Sequence, residues 1–243
     1  MLQLRTRDFF INKSKIKMKI FAVIPAGGKG ERINSEIPKQ YLQINGKEII
    51  AYTIEVFQKC KLIDEIIIAS QKDYFELLNQ IKSRYSFTKI TGIVEGGNER
   101  QYSVFNAVKS IIANDNDLII VHDAVRPLLP FSVLENTIKK AINYGSAIAA
   151  IKAKDTLIKG NELVEYYIDR KEIYYVQTPQ IFRYKIFYDS MKKAEKENFI
   201  GTDESMIVKN AGYKVKIVEG SAFNFKITTN DDLKLFSLIS QNY

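Results

Sequence analysis

Two residue types that carry much protein chemistry are scarce in this 243-residue chain, which contains one cysteine, Cys60, and one histidine, His122. A single cysteine excludes a disulfide bond within the chain. One cysteine and one histidine are also too few for a cysteine/histidine zinc cluster, and they argue against a Ser-His-Asp hydrolase. A divalent ion held by oxygen atoms stays possible, since carboxylates and phosphates can bind it.

Long apolar runs are missing as well. No stretch approaches the roughly 20 apolar residues that a membrane-spanning helix needs. The N-terminus carries charged residues where a signal peptide would have its hydrophobic segment. We therefore expect a soluble, cytoplasmic protein with no membrane partner.

The net charge of +8 is concentrated near the N-terminus. Residues 1–20 contain six Lys or Arg and one acidic residue, which leaves a balance of +3 for the rest of the chain. This balance suits an enzyme that handles phosphates and does not predict a nucleic-acid groove. Met18 stands directly before the first strand pattern, so we expect residues 1–17 to be a disordered basic extension or to precede the true start. Alternatively, the apolar residues 9–11 contact a membrane surface beside the lysines.

From residue 19 onward, short β-branched segments alternate with longer amphipathic segments, which is typical of a parallel sheet covered by helices on both faces. The predicted strands are 20–24, 65–69, 91–95, 118–122 and 147–151. The predicted helices between them are 49–59, 73–85, 100–113 and 131–144. The expected fold class is therefore α/β, a single Rossmann-like sandwich over residues 18–243 with a mainly parallel sheet.

This alternation breaks down over residues 152–182. Turn-forming residues at 155–156 and 159–161 accompany a tyrosine-rich strand pattern, which predicts a β-hairpin that leaves the main sheet. The tyrosines assigned to it are Tyr166, Tyr167, Tyr174 and Tyr175. Exposed aromatic surface of this kind marks an interface, so we expect a homodimer joined through this β-arm. Beyond the β-arm, the pattern predicts helices at 184–197, 203–210 and 231–239 and strands at 215–219 and 224–228.

A glycine-rich segment, Pro-Ala-Gly-Gly-Lys-Gly-Glu-Arg, follows the first predicted strand at residues 25–32. Glycines allow successive backbone N–H groups to point into one concavity that suits polyphosphate oxygens. The segment is not a Walker loop, because no Gly-Lys-Ser/Thr follows, and not the dinucleotide fingerprint, because Ile33 replaces the third glycine. Arg32 and Lys39 would add cations beside this loop. The alternative is a glycine turn with solvated cations.

The same loop, together with Pro-Lys-Gln-Tyr at 38–41, resembles the signature of sugar nucleotidyltransferases and points to the 2-C-methyl-D-erythritol 4-phosphate cytidylyltransferase family. Further segments similar to that family follow in order. They are Gly-Gly-Asn-Glu-Arg at 96–100, His-Asp-Ala-Val-Arg-Pro at 122–127, Asp-Thr at 155–156, Asp-Arg at 169–170, Gln-Thr-Pro-Gln at 177–180, Thr-Asp-Glu at 202–204 and Asn-Phe-Lys-Ile-Thr at 224–228. Each motif alone is weak, but the ordered set is specific and spans nearly the whole chain from Met18.

The resemblance implies that CMP is transferred from CTP to 2-C-methyl-D-erythritol 4-phosphate, with release of pyrophosphate, in the non-mevalonate isoprenoid pathway. A phosphate oxygen of the acceptor attacks the α-phosphorus of CTP, and positioned cations with Mg²⁺ or another divalent ion offset the negative charge that develops. By resemblance, three cations act as catalytic residues and a loop backbone holds the triphosphate. The cations are Arg32, Lys39 and Lys226, and the loop residues are Ala26, Gly27 and Gly28.

Asp123 follows the apolar run 118–121 and would therefore lie at the carboxyl end of a parallel strand, where open α/β sheets bind ligands. We take it as the carboxylate next to Mg²⁺ and as a hydrogen-bond partner of a substrate hydroxyl, with Ala124 beside CTP. The alternative is that Asp123 caps the following turn or pairs with Arg126. We expect His122 to be packed and hydrogen-bonded rather than a base, because a phosphate nucleophile is already ionised.

The resemblance assigns the cytosine pocket to Gly97, Asn98 and Ser103, although the residues alone favour a plain loop with an N-cap. Thr156 and Arg170 on the β-arm resemble the pair that binds the acceptor phosphate from the neighbouring subunit, so dimerisation would complete the site. The remaining acceptor contacts implied are Arg126, Thr178 and Thr202.

Asn98 stands where an acidic residue is common in the family, and its amide oxygen can still accept from the cytosine amino group. The nearest alternative is ribitol 5-phosphate cytidylyltransferase, which shares the loop and the Thr-Pro-Gln element, although Asp169-Arg170 is more similar to the methylerythritol type. A different class, a non-catalytic nucleotide sensor or oligomerisation module, would be expected to lose the phosphate-binding cations, and these are present.

Overall fold

The structure, a computed structural model, describes residues 18–28 and 37–241. The predicted basic extension at 1–17 lies outside this range. The described strands, in chain order, are β1 (Ile20–Pro25), β2 (Gln43–Ile44), β3 (Lys47–Glu48), β4 (Glu65–Ser70), β5 (Ile90–Glu95), β6 (Leu118–Val121), β7 (Ser146–Lys152), β8 (Leu157–Gly160), β9 (Val164–Ile168), β10 (Tyr174–Arg183) and β11 (Lys216–Glu219). The described α-helices are α1 (Ile49–Lys59), α2 (Phe75–Arg84), α3 (Arg100–Lys109), α4 (Phe131–Tyr144), α5 (Tyr184–Lys196), α6 (Glu204–Asn210) and α7 (Asn230–Ser240).

Seven strands form one sheet in the order β11-β7-β10-β6-β1-β4-β5. Strand β1 pairs in parallel with both β4 and β6. Strand β4 also pairs in parallel with β5, and β7 pairs in parallel with β11. Only β10 runs antiparallel to its two neighbours among the described strands of this sheet. The predicted α/β fold with a mainly parallel sheet is confirmed.

The core lies on both faces of the sheet, because alternate residues of β1 point to opposite sides. Ile20, Ala22 and Ile24 pack with apolar residues of α1, α2 and α4. Phe21 and Val23 pack with those of α3, α5 and α6. With both faces covered, β1, β4 and β6 are almost entirely buried, and a ligand can reach them mainly at their ends.

Strand β10 is the main departure from the predicted fold. The prediction placed Tyr174 and Tyr175 in the β-arm, but in the structure they begin β10, which lies between β6 and β7. A proline inside the Thr-Pro-Gln element lacks the N–H that a ladder needs and argues against a central strand. The structure accommodates Pro179 with a register shift against β7 between Val176 and Gln180.

The predicted hairpin is present but shorter. Strands β8 and β9 pair with each other as a separate antiparallel sheet. The β-arm therefore consists of residues 157–168 together with the segments 153–156 and 169–173, which join it to β7 and β10. Leu163 and Tyr167 are 83% and 71% exposed on it. Its role in dimerisation stays a prediction.

The prediction of a strand at 224–228 is wrong. This segment is irregular, and within the described chain its backbone link to the sheet region is the bond from Ile227 N to Val125 O at 2.9 Å. The alternating apolar residues Phe225 and Ile227 pack in a small cluster with α1 and α7 instead of in a strand ladder. The segment therefore crosses the carboxyl end of β6 and carries Lys226 there.

No described helix is long and apolar enough to span a membrane.

Candidate active site

A cleft of about 1070 Å³ opens at the carboxyl ends of β1, β4, β5 and β6. This is the edge at which open α/β sheets bind ligands. The cleft brings together ten of the predicted site residues, namely Ala26, Gly27, Gly28, Lys39, Gly97, Asn98, Ser103, Asp123, Ala124 and Lys226. Arg32, the eleventh residue predicted at the nucleotide, lies outside the described residues.

The loop after β1 is tied down through its carbonyl groups. Gln40 Nε2 donates to Ala26 O at 2.6 Å and to Gly28 O at 3.0 Å. Gln71 Nε2 donates to Gly27 O at 3.1 Å, and Tyr41 Oη donates to Ala26 O at 3.3 Å. Gln40, Gln71 and Tyr41 were not predicted as site residues, since only the fold brings their side chains to the loop.

Among the described residues, steric crowding does not explain why positions 27 and 28 of this loop are glycines. Neither has a positive φ, and a Cβ added to Gly28 would meet nothing within 4 Å among the described atoms. A Cβ on Gly27 would make only an ordinary contact with Ser103 Oγ at 3.6 Å. Among the described residues, nothing therefore requires glycine at position 28 for steric reasons.

Asp123 follows β6 and accepts from three cationic side chains. Arg100 donates to Oδ1 from Nε at 3.3 Å and from Nη2 at 3.0 Å. Arg126 Nε and Lys226 Nζ both lie 3.2 Å from Oδ2. Burial alone would raise the pKa of Asp123, but Arg100, Lys226 and Arg126 outweigh it and hold this pKa well below its ordinary value. The pairing with Arg126 that the sequence left open is therefore present.

This arrangement bears on whether Asp123 can bind a metal ion. A carboxylate offers about four lone-pair sites, and here two contacts on each oxygen use them. Direct coordination of Mg²⁺ would require Lys226 or an arginine to release the carboxylate. Among the described residues no cluster of three metal-ligating side chains is present either. The donor set as arranged does not fit a metal ion that Asp123 coordinates directly. A role for Asp123 next to Mg²⁺ stays a prediction.

Arg100 and Glu204 extend the charge network, and neither was predicted as a site residue. Arg100 begins α3, lines the cleft, and donates from Nη1 to Glu204 Oε1. Glu204 is fully buried at the start of α6, and its Oε2 has no hydrogen-bond partner among the described groups. Burial raises the pKa of Glu204 despite the opposing charge of Arg100. The motifs at 96–100 and 202–204 contain both residues, but sequence alone does not show that they meet.

His122 lies beneath the cleft and is fully buried, as predicted. Its Nδ1 is 3.0 Å from Thr178 Oγ1, and its Nε2 is 3.2 Å from Arg126 O. Because the Arg126 carbonyl can only accept, Nε2 carries the imidazole proton and donates to it, and the Thr178 hydroxyl donates to the unprotonated Nδ1. Burial lowers the pKa of His122 to about 4. The ring is thus a neutral structural residue, and it is not among the described residues that line the cleft.

Ser103 and Gly97 are held together at the turn before α3. Gly97 N donates to Ser103 Oγ at 3.0 Å. A Cβ on Gly97 would lie 2.4 Å from Tyr102 Cβ, so only glycine fits there. The predicted loop before α3 is present, but its N-cap residue, Glu99, makes no side-chain capping bond, so the N-capping that the residues alone favoured is absent. The same turn faces the cleft with the exposed Asn98, and recognition of cytosine there stays a prediction.

The predicted acceptor residues other than Asp123 do not line the cleft. Arg126 lies behind Asp123 and donates from Nη1 to Asn224 O at 2.7 Å, and Thr178 is buried beside His122. Thr202 is exposed and contacts Met206 Sδ. Thr156 and Arg170 are exposed at the base of the β-arm, where Arg170 donates to Lys154 O. In the described part of the chain, ten residues predicted at the nucleotide are therefore assembled in one cleft, whereas the predicted acceptor residues other than Asp123 are not.

Similar proteins are known. The family model described as IspD, 2-C-methyl-D-erythritol 4-phosphate cytidylyltransferase, matches residues 20–241. A protein of that name from Syntrophus aciditrophicus is 40% identical over 223 residues, which cover 90% of this chain and 95% of the relative. One from Clostridium botulinum (strain Langeland) is 42% identical over 216 residues, covering 88% and 93%. The crystal structure of the 4-diphosphocytidyl-2C-methyl-D-erythritol synthase from Anaerococcus prevotii is similar with a TM-score of 0.80 at 29% identity, covering 92% of this chain and 96% of that one.

Proposed function

The chain belongs to the 2-C-methyl-D-erythritol 4-phosphate cytidylyltransferase family, and on that premise we propose that its cleft transfers CMP from CTP to 2-C-methyl-D-erythritol 4-phosphate. The products are 4-diphosphocytidyl-2-C-methyl-D-erythritol and pyrophosphate. The chain is thus a nucleotidyltransferase of the isoprenoid pathway. Its cytoplasmic location remains a prediction from the sequence.

One observation carries the assignment of this reaction to the cleft. Lys39 and Lys226 lie near opposite ends of the chain, yet both line the same cleft as the loop at Ala26, Gly27 and Gly28. Two mobile point charges and a row of backbone N–H groups are a suitable environment for a triphosphate. A turn with solvated cations would not be expected to converge on one cleft.

In the proposed reaction, a phosphate oxygen of the acceptor attacks the α-phosphorus of CTP in line with the departing pyrophosphate. Lys39 and Lys226 stabilise the charge that develops on the phosphate oxygens. The Asp123 carboxylate lies 3.2 Å from the Lys226 ammonium group and thereby keeps it at the carboxyl end of β6. No general base is required, because a phosphate monoester is largely ionised at neutral pH. The buried, neutral His122 is consistent with this.

A divalent cation, Mg²⁺ or another, is proposed as a partner of the triphosphate. Because Asp123 has its lone pairs engaged by Arg100, Arg126 and Lys226, we propose that phosphate oxygens and water supply most of the ligands, as is common for Mg²⁺. The bound ion would neutralise phosphate charge.

The acceptor phosphate is proposed to bind Thr156 and Arg170 supplied by the β-arm of a second protomer. Two features support this. Both side chains are exposed and lie outside the cleft of their own protomer, and the β-arm exposes large apolar residues that a partner could cover. The arrangement makes a homodimer the active unit.

The experiment that tests the proposed function measures pyrophosphate release by the full chain with CTP and Mg²⁺. The reaction is run with 2-C-methyl-D-erythritol 4-phosphate, with ribitol 5-phosphate and without an acceptor. Release with the methylerythritol substrate is expected. Release only with ribitol 5-phosphate would overturn the acceptor assignment. No release with either acceptor would favour a nucleotide sensor.

A further inference from the structure

The three carbonyl groups that follow β1 are all bound by side-chain donors. Gln40 donates two hydrogen bonds from one nitrogen, to Ala26 O and to Gly28 O, and Gln71 donates to Gly27 O between them. Gln40 is only 3% exposed, and its two amide protons are both used in these bonds. The two glutamines therefore hold consecutive peptide units of one loop from two different segments of the chain.

Fixing a carbonyl also fixes the N–H of the next residue. In a planar trans peptide, the C=O and the N–H of one unit point in opposite directions. The bonds to Ala26 O and Gly27 O consequently set the directions of the Gly27 and Gly28 N–H groups. The Ala26 N–H is bonded to Ala69 O at 2.7 Å, whereas the Gly27 and Gly28 N–H groups have no acceptor in the described parts of the chain.

The segment that carries Gln40 is itself anchored. Tyr41, the next residue, is buried, lies 2.6 Å from Ser70 Oγ through its hydroxyl, and stacks on Tyr74 with ring centroids 4.4 Å apart. Ser70 ends β4, so the short 3₁₀ helix Lys39–Tyr41 connects the ends of β1 and β4. Gln71 follows Ser70 directly. Both glutamines are thus fixed to β4, the strand paired with β1.

We propose that Gln40 and Gln71 are positioning residues that orient the loop peptides 26–28 toward the phosphates of the nucleotide. They set the affinity for the polyphosphate and leave the affinity for the base unchanged. This inference rests on the proposed function, because it takes the triphosphate of CTP as the ligand of the loop. An amide suits the role because it donates to carbonyls without charge. A carboxylate at either position could not donate and would repel the phosphates.

The test compares nucleotides that differ only in phosphate number. Gln40→Met and Gln71→Leu remove the donors at similar size without adding charge. We expect each to weaken CTP binding about tenfold or more and CMP binding by less than about threefold, since each loses hydrogen bonds that orient phosphate-facing groups. The KM for CTP should rise while the KM for the polyol phosphate stays unchanged. Isothermal titration and steady-state kinetics on the full chain measure these values.

Gln80→Met is the matched control, because Gln80 lies on α2 and its amide bonds Glu76 outside the cleft. It should bind CTP and CMP as the wild-type chain does. Circular dichroism checks that each variant is folded, and Gln71→Leu carries the test if the more buried Gln40→Met does not fold. Equal losses for CTP and CMP, or no loss for either, would overturn the inference.

Titration with pyrophosphate alone separates this inference from the proposed function, because pyrophosphate carries no base. Weaker pyrophosphate binding in the glutamine variants supports the positioning role even if the chain prefers another nucleotide. Unchanged pyrophosphate binding in variants that keep wild-type CTP affinity contradicts the positioning role and leaves the cytidylyltransferase assignment intact.

Discussion

Lys39 and Lys226 approach the cleft from separate segments, so each can be removed without the other. Replacing either by alanine should reduce turnover by about 10²-fold to 10³-fold, the usual cost of losing a group that stabilises transition-state charge. Circular dichroism and the unfolding midpoint should change little, because both side chains are partly exposed. Pyrophosphate release under saturating CTP measures the effect.

Lys139→Ala is the control for these two variants. Lys139 is an exposed residue of α4 that pairs with Glu135 and does not line the cleft. It should retain wild-type turnover. Wild-type turnover in Lys39→Ala or Lys226→Ala would remove that lysine from the mechanism.

His122 offers a direct measurement because the chain contains no other histidine. Its ring is buried and carries its proton on Nε2, and burial lowers its pKa to about 4. The imidazole carbon-bound proton signals of the folded chain should therefore titrate near pH 4 in an NMR experiment. The chain unfolded in urea serves as the reference and should titrate near the ordinary pKa of about 6.5. A midpoint near 6.5 in the folded chain would show that the ring is accessible and reopen the question of a base.

At the level of elements, the β-arm makes the dimer testable. Leu163 and Tyr167 are its most exposed large apolar residues, and a double substitution by lysine should prevent a partner from covering them. The wild-type chain should have the mass of a dimer in light scattering, and the double variant that of a monomer. Ile112→Lys is a suitable control, because Ile112 is 96% exposed and belongs to the loop after α3, not to the β-arm. A wild-type monomer at all concentrations would contradict the prediction.

Mixing two inactive variants asks whether the β-arm serves the neighbouring cleft. Lys226→Ala damages a protomer's own cleft, and Arg170→Ala damages the β-arm that it offers to its partner. If Arg170 acts across the dimer, a mixed dimer contains one cleft with both residues intact, and co-expression should restore activity. Lys39→Ala mixed with Lys226→Ala is the control, since both residues line the cleft of their own protomer and no intact cleft can arise. Restoration only in the first mixture is expected; no restoration in it would assign Arg170 to its own protomer's site or to none.

Most elements were predictable because their apolar patterns are periodic and local. Helices α1 and α4 begin and end at the predicted residues, and the ends of six predicted strands of the sheet lie within one residue of the observed ends. Strand β10 was not predictable, since Pro179 interrupts its ladder and its partners β6 and β7 are distant in sequence. The segment at 224–228 shows the opposite error. Its alternating apolar residues fill a cluster beside α7, a use that period-two alternation does not distinguish from a strand.

For the molecule as a whole, His122 makes stability depend on pH. Its pKa is lower in the folded chain than in the unfolded chain, so the unfolded chain binds more protons between about pH 6.5 and pH 4, and the free energy of unfolding falls as the pH falls through that range. Between pH 7 and pH 5 the loss from this group should be about 2 kcal/mol. Urea unfolding at the two pH values measures it.

His122→Asn, which retains an acceptor near Thr178, should be less stable at pH 7 but should lose this pH dependence. The raised pKa of Glu204 acts in the opposite direction, and its effect cancels when the two proteins are compared. The lowered pKa of Asp123 acts only below its ordinary value, outside this range. An equally steep decline in the variant would assign the pH dependence to other groups.

The candidate site was predictable where a motif itself forms part of the cleft, as for the glycine-rich loop, Asp123 and Lys226. It was not predictable where a residue acts through a partner from a distant element. Arg100 joins Asp123 to Glu204 across α3 and α6, and Gln71 reaches Gly27 from the end of β4. Such contacts depend on how the sheet orders its strands, and no spacing along the chain encodes them.

The position of β10 has a consequence for how the protein is made. Strands β6, β1, β4 and β5 form one part of the sheet, β7 and β11 form the other, and β10 alone joins the two. A nascent chain whose last translated residue lies between 152 and 183 contains all of β7 but not all of β10, the strand that joins β7 to β6. Until then β7 has an unpaired edge, which is a site for wrong pairing. The two parts of the sheet can therefore join only in the last quarter of translation, and Lys226 is also synthesised in that quarter.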